Sequence, residues 1–265
     1  MQSFQRGFVV EPHFSIGDVL GQTFSTLFHK PVFFFGLAAI AALPSAVINS
    51  VTFYSTLGTV VPFLLNTLLG LMIQGSIAYG VFISLAGDDP TWGEAISRGF
   101  RRLLHLFLIA LIFWILLIFF TFVSAMLVMA LRGVSIFFIL LILGLGAAMI
   151  CSWLITIQAC VVEQLGPIAS INRSAELTKG YRWHIFGLLV LLFIGAIVFV
   201  VIFSMVVSAI FPGNFLLLTK AKVGVLFIVS TFSTAFFGTM SSVVYYDLRS
   251  VKEGLTIDSL ADIFD

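Results

Sequence analysis

A chain of 265 residues with 60% hydrophobic and only 9% charged side chains is excluded from the soluble globular class, where about a quarter of residues are charged. Its net charge of +1, with no basic cluster longer than three residues, leaves no electrostatic footprint for nucleic acid. Its two cysteines, Cys151 and Cys160, fall on opposite faces of one predicted helix, so neither a disulfide framework nor a thiolate metal motif follows.

In chain order, residues 1–13 read as a polar start, and the first 30 residues lack the apolar core of a cleaved signal peptide. The first span is therefore expected to be an uncleaved anchor. Ser15-Ile16-Gly17-Asp18 reads as a capping box. Behind it Ile16, Val19, Leu20, Thr23, Phe24, Leu27 and Phe28 keep a helical rhythm. Pro31 opens a first span reaching to about residue 51, with Pro44 as a kink, and a second span follows at 60–86. No charge occurs from Pro31 through Gly87, a length that holds two crossings of about 20 residues each.

Residues 90–107 are too polar to cross. Thr91 and Glu94 form a second capping box, and Trp92, Ala95, Ile96, Phe100, Leu103 and Leu104 recur at helical spacing, with Arg98, Arg101 and Arg102 mostly on the other side. This pattern predicts a helix lying in the membrane interface, its arginines toward lipid phosphates; a plain connector is the simpler alternative. Spans three and four are expected at 103–131 and 134–162. A third interfacial stretch follows at 163–181, with Arg173 and Arg182 as further headgroup contacts. Spans five and six are expected at 183–211 and 222–246, then an acidic tail at 247–265.

The first two interfacial stretches are alike. Ser15-Ile16-Gly17-Asp18-Val19-Leu20 and Phe24 match Thr91-Trp92-Gly93-Glu94-Ala95-Ile96 and Phe100 at an offset of 76 residues. A weaker third copy aligns Ser170, Ile171 and Arg173 with Ala95, Ile96 and Arg98 at an offset of 75. The fold expected is an all-α membrane domain over 1–265. Its six transmembrane helices form three repeat units, about 15–86, 91–162 and 167–246, each an interfacial amphipathic helix plus a helical hairpin, about a pseudo-threefold axis. Such a repeat is parallel, unlike the inverted repeats of many transporters.

Of the 13 lysines and arginines, all but Arg132, Lys220 and Lys222 fall on one side of this topology, which predicts both termini in the cytoplasm. Small residues mark where helices meet in lipid. Gly70, Ser76, Gly80 and Ser84 on the second span, Gly144, Ala148, Ser152 and Thr156 on the fourth, and Ser230, Thr234, Gly238 and Ser242 on the sixth predict that the even spans form an inner trio. The Phe-rich odd spans are then expected to face lipid. Asn66, Gln74, Gln158, Glu163 and Tyr245 lie on the small-residue arcs. They read either as packing hydrogen bonds or as the lining of a polar central seam that takes a ligand.

No acid or base is expected at mid-membrane depth, which argues against an ion-coupled pump. His29, His105 and His184 stand at the mouths of odd spans, too far apart to share an ion if those spans are outermost. No phosphate-cradling, serine-nucleophile or zinc-protease motif occurs, so neither a cofactor nor a catalytic residue is expected.

Two stretches carry a resemblance. Glu163, Gly166-Pro167-Ile168-Ala169-Ser170, Arg173-Ser174, Glu176-Leu177-Thr178-Lys179-Gly180, and then Tyr246-Asp247-Leu248-Arg249 with Lys252-Glu253-Gly254 resemble bacterial six-span proteins related to the membrane domain attached to some glycerophosphodiester phosphodiesterases. The resemblance implies a bacterial inner-membrane protein. It implies no hydrolysis, because the metal-binding phosphodiesterase domain is absent. The expected function is non-catalytic: binding or moving a lipid or other amphiphile through the central seam, with membrane lipids as partners. The alternatives are a structural or assembly subunit of a membrane complex, with another membrane protein as partner, and an intramembrane enzyme.

Overall fold

The computed structural model describes residues 14–51, 56–130, 135–210 and 215–254. Among them every regular element is helical: α1 Ile16–His29, α2 Pro31–Val51, α3 Thr56–Leu85, α4 Trp92–Arg101, α5 Leu103–Ala130, α6 Ser135–Trp153, α7 Thr156–Val162, α8 Pro167–Thr178, α9 Arg182–Ile210 and α10 Phe215–Glu253. Among the described residues five helical segments are long and apolar enough to cross a membrane, and α1 with α2, bent by 90°, form a sixth if counted as one. The chain is a multi-pass, all-helical membrane protein.

The short helices α1, α4 and α8 each precede a long helical pair, and each buries a narrow stripe. On α1 the buried residues are Val19, Thr23, Thr26 and Leu27. On α4 they are Ala95 and Gly99. On α8 they are Ser170, Ser174, Leu177 and Thr178. Ser15 and Thr91 do stand at helix starts, but neither side chain caps the backbone. Thr91 instead donates its hydroxyl to the Glu94 carboxylate at 2.9 Å, so the expected reciprocal capping box is replaced by a direct side-chain bond.

The corners of these helices meet at one end of the bundle. Phe14 packs its ring 5.6 Å from Tyr181 and 6.3 Å from His184. Lys30 donates to the Asp88 carbonyl at 3.1 Å and pairs with Asp89. Arg102 donates to Gln164 at 2.9 Å. Lys252 donates to the Glu176 and Lys179 carbonyls at 2.6 and 2.8 Å, closing the open end of α8.

The core lies toward this same end. Ile73 and Ile77 of α3, Ile155 and Ala159 beside and within α7, and Met240, Val243, Val244 and Tyr245 of α10 are buried together. α5 and α9 bury almost nothing and present Ile115, Phe119 and Phe122, or Phe193, Phe199 and Ile202, outward, as helices bathed in acyl chains do. The first span departs from the expected lipid-facing position. Phe33, Phe34, Leu37, Ala38, Ala41 and Ala42 are buried, with Phe33 against Gly80 of α3 and Trp92 of α4. Phenylalanine is as apolar as the lipid it would otherwise meet, so a Phe-rich surface does not by itself choose between protein and acyl chain.

Two further differences concern span ends. The fourth span is broken at Leu154–Ile155 into α6 and α7. The Ser152 carbonyl beside the break accepts the buried Ser174 hydroxyl of α8 at 2.8 Å. The sixth span runs on to Glu253 rather than giving way to a tail after Tyr246, because its last turns dock on α8. Gly254, at φ 64°, then ends it.

Small residues mediate close approach only near the core. A side chain at Gly99 would meet the Met72 carbonyl and Ser76 Oγ at 2.4 Å, and one at Gly238 would meet Ile77 at 3.0 Å, whereas nothing lies within 4 Å of Gly70 or Gly144. Gly99→Val is expected to lower stability by about 1–3 kcal/mol through overpacking, and Gly70→Ala to change it little or raise it. Thermal unfolding in mild detergent, followed by intrinsic fluorescence, measures both; equal melting temperatures would refute the tight α3–α4 contact.

Candidate functional site

The chemistry of the described residues gathers where α7, α8 and α10 end together. Glu163 caps α7. Its carboxylate accepts Arg173 Nε at 2.9 Å on each oxygen and the Tyr245 hydroxyl at 2.6 Å. Arg173 reaches on to Glu253, which also accepts Arg249 Nε at 2.9 Å. Arg249 stands 3.8 Å from Glu163 and lies over the Tyr245 ring at 5.9 Å. Two acids, two arginines and a phenol thus form one closed network, with Glu163 15% and Arg249 11% exposed.

Burial disfavours charge on Arg173, but its hydrogen bonds to Glu163 and Glu253 outweigh that and raise its pKa. An ion pair sunk this far into protein is stable only when nearly every lone pair is used, and here the carboxylate oxygens of Glu163 are used. The network therefore joins three helices through Glu163, whose Oε1 accepts both Arg173 and Tyr245 and whose Oε2 accepts Arg173.

The peptide leaving Glu163 is strained. Gln164 has φ 54°, a left-handed conformation that side chains other than glycine adopt at a cost of order 1–3 kcal/mol. Its side-chain oxygen accepts Arg102, and the next carbonyl, Leu165, accepts the Cys160 thiol at 3.6 Å. Arg98, Arg101 and Arg102 surround this turn. They line two adjoining hollows of about 390 Å3 and 240 Å3, the first with Tyr79, Gly93, Glu94 and Ser97, the second with Val161 and Gln164.

A third hollow, of about 270 Å3, lies between α6 and α9. Gly144, Ala147, Ala148 and Cys151 stand at i, i+3, i+4 and i+7 on α6 and form one smooth face. Trp183 and Phe186 of α9 face it, with Arg182 at the margin.

Of the ten candidate residues, Glu163, Tyr245 and Arg173 come together. Gln158 is buried nearby and donates its amide to Ser241 at 2.6 Å. Its oxygen and that of Gln74 are buried with no hydrogen-bond partner among the described residues. Asn66 is exposed on α3, apart from the core. Arg98, Arg101 and Arg102 line the first two hollows and Arg182 the third. Sequence reasoning singled out neither Arg249, Glu253, Gln164 nor Ser241 as site residues. The acid–base alternation of Arg249, Lys252 and Glu253 was the available signal, discounted because the span was expected to end before it.

Glu163→Gln is expected to cost about 2 kcal/mol, since it removes the carboxylate between Arg173 and Arg249 and leaves them Glu253 alone. Asp89→Asn, in an exposed pair, should leave stability almost unchanged. Thermal unfolding of both variants in one detergent checks the contrast. No family model, curated protein or solved structure matches the chain, so what the site does rests on its own geometry.

Proposed function

We propose that the chain is a non-catalytic protein of the bacterial cytoplasmic membrane that binds a lipid or other amphiphile. The carrying observation is the α6–α9 groove. A smooth face of Gly144, Ala147, Ala148 and Cys151 runs about 10 Å along α6 and borders, with Trp183 and Phe186, a mostly apolar hollow of about 270 Å3. Arg182 stands at the groove margin beside the charged corners of the bundle, where a guanidinium meets an anionic headgroup. Apolar walls with one charged group at the rim are the surface an anionic lipid requires. Both chain ends are taken as cytoplasmic, since of the 13 lysines and arginines all but Arg132, Lys220 and Lys222 fall on the termini's side of the expected topology.

The same reading treats the protein as three repeats about a pseudo-threefold axis. The aligned positions Val19, Ala95 and Ser170, and then Thr23, Gly99 and Ser174, are all buried, which supports the alignment beyond sequence likeness. The resemblance to the six-span phosphodiesterase-associated membrane domains is kept as part of the proposal. It is supported by the meeting of its two motif stretches in the Glu163–Arg173–Arg249–Glu253 network.

A second reading, a structural or assembly subunit, is favoured by one observation. The Gln158–Ser241 bond and the Glu163 network join helices to each other, which a scaffold needs and a moving carrier does not.

Native mass spectrometry of the detergent-purified chain separates the readings. Retained anionic phospholipid is expected, lost at least tenfold in Ala148→Trp, which fills the groove, and reduced in Arg182→Gln. Equal retention by the wild type and by a folded Ala148→Trp variant overturns the groove reading. A stoichiometric protein partner recovered from native membranes, with no bound lipid, favours the scaffold.

A further inference from the structure

We propose that Arg98, Arg101 and Arg102, with Gln164, form a second site, for a phosphate dianion or diphosphate group. Arg98 and Arg101 line both hollows and so join them into one depression. The larger hollow, about 390 Å3, falls within the size of a small-molecule site. Three guanidiniums face a single carboxylate there, Glu94, which already accepts Thr91 at 2.9 Å and Tyr79 at 3.3 Å. The depression therefore carries surplus positive charge. Arg101 makes no hydrogen bond or ion pair among the described residues, whereas Arg102 is positioned by Gln164 and Arg98 lies over the Tyr79 ring at 5.4 Å.

Helix geometry sets the direction of approach. On α4, Trp92 and Phe100 are the exposed apolar residues. At about 100° per residue, Arg98 and Arg101 project about 160° and 140° from the midline between Trp92 and Phe100, with Ser97 between them and Phe100. The depression thus opens away from the helix's apolar face. A planar, forked donor set of this kind selects phosphate oxygens over a point charge. The Gln164 backbone, at φ 54°, carries the side-chain oxygen that accepts Arg102.

A water-borne phosphate compound and a phospholipid headgroup share this chemistry, and two probes tell them apart. The full chain in uncharged detergent is titrated with inorganic pyrophosphate by calorimetry. The full chain in nanodiscs is compared between phosphatidylcholine alone and phosphatidylcholine with phosphatidic acid, by thermal shift. Saturable pyrophosphate binding assigns a soluble ligand. A phosphatidic-acid shift without pyrophosphate binding assigns a headgroup.

In either arm Arg101→Gln, which removes no internal contact, should weaken the response about tenfold or more, as loss of a charge-assisted hydrogen bond does. Gln164→Gly, which relieves the backbone, should weaken it while keeping or raising the melting temperature. The nanodisc arm is run in Ala148→Trp, whose filled groove removes the other anionic-lipid surface, and in the calorimetric arm the same variant should leave pyrophosphate binding unchanged. Absence of any response in both arms, or an undiminished response in Arg101→Gln, overturns the proposal.

Discussion

One carboxylate holds the charged end of this molecule together. Glu163 terminates the broken fourth span, and the groups that satisfy it come from two other helices: Arg173 from α8, Tyr245 and Arg249 from α10. A bare charge at that depth is costly, and a paired, hydrogen-bonded one is much less so. The position of three helix ends is therefore coupled to one electrostatic condition. The core of Ile73, Ile77, Met240 and Val244 sits beside this network, so apolar packing and ion pairing favour the same arrangement.

Away from that end the constraint loosens. α5 and α9 bury few residues, and Leu140, Gly144 and Leu226 are exposed on α6 and α10. Lipid replaces protein as the packing partner there without a loss of hydrophobic free energy, since acyl chains and leucine are equivalent solvents for leucine. The α6–α9 groove lies in this looser zone, while the arginine depression lies against the tight one. A ligand in the first would meet yielding helices, and a ligand in the second a rigid plate.

How much of this the sequence disclosed follows from which forces leave a mark on it. The short helices α1, α4 and α8 were legible because apolar residues such as Trp92 and Phe100 recur there at helical spacing among charged ones such as Arg101. The inner role of α3 and α10 was legible in Gly80, Gly238 and Ser242, whose smallness has few other causes. The burial of Phe33 and Phe34 was not, because inside a membrane hydrophobicity no longer separates core from surface. The end of α10 was misplaced because a run of charges reads as a departure from the membrane. Arg249 and Glu253 are instead neutralised by partners distant in sequence. Asn66 was grouped with Gln74 by its arc alone, and an arc does not fix depth along a helix.

The interruption at Leu154–Ile155 bears on how the protein is made. The Ser152 carbonyl beside that gap takes its side-chain donor from Ser174, a residue synthesised only after the fourth span has emerged. Until α8 folds back, that oxygen lacks this partner, and the span is incomplete as an independent unit of insertion. The contact at this gap can therefore form only after α8 has been made and has folded back onto the fourth span.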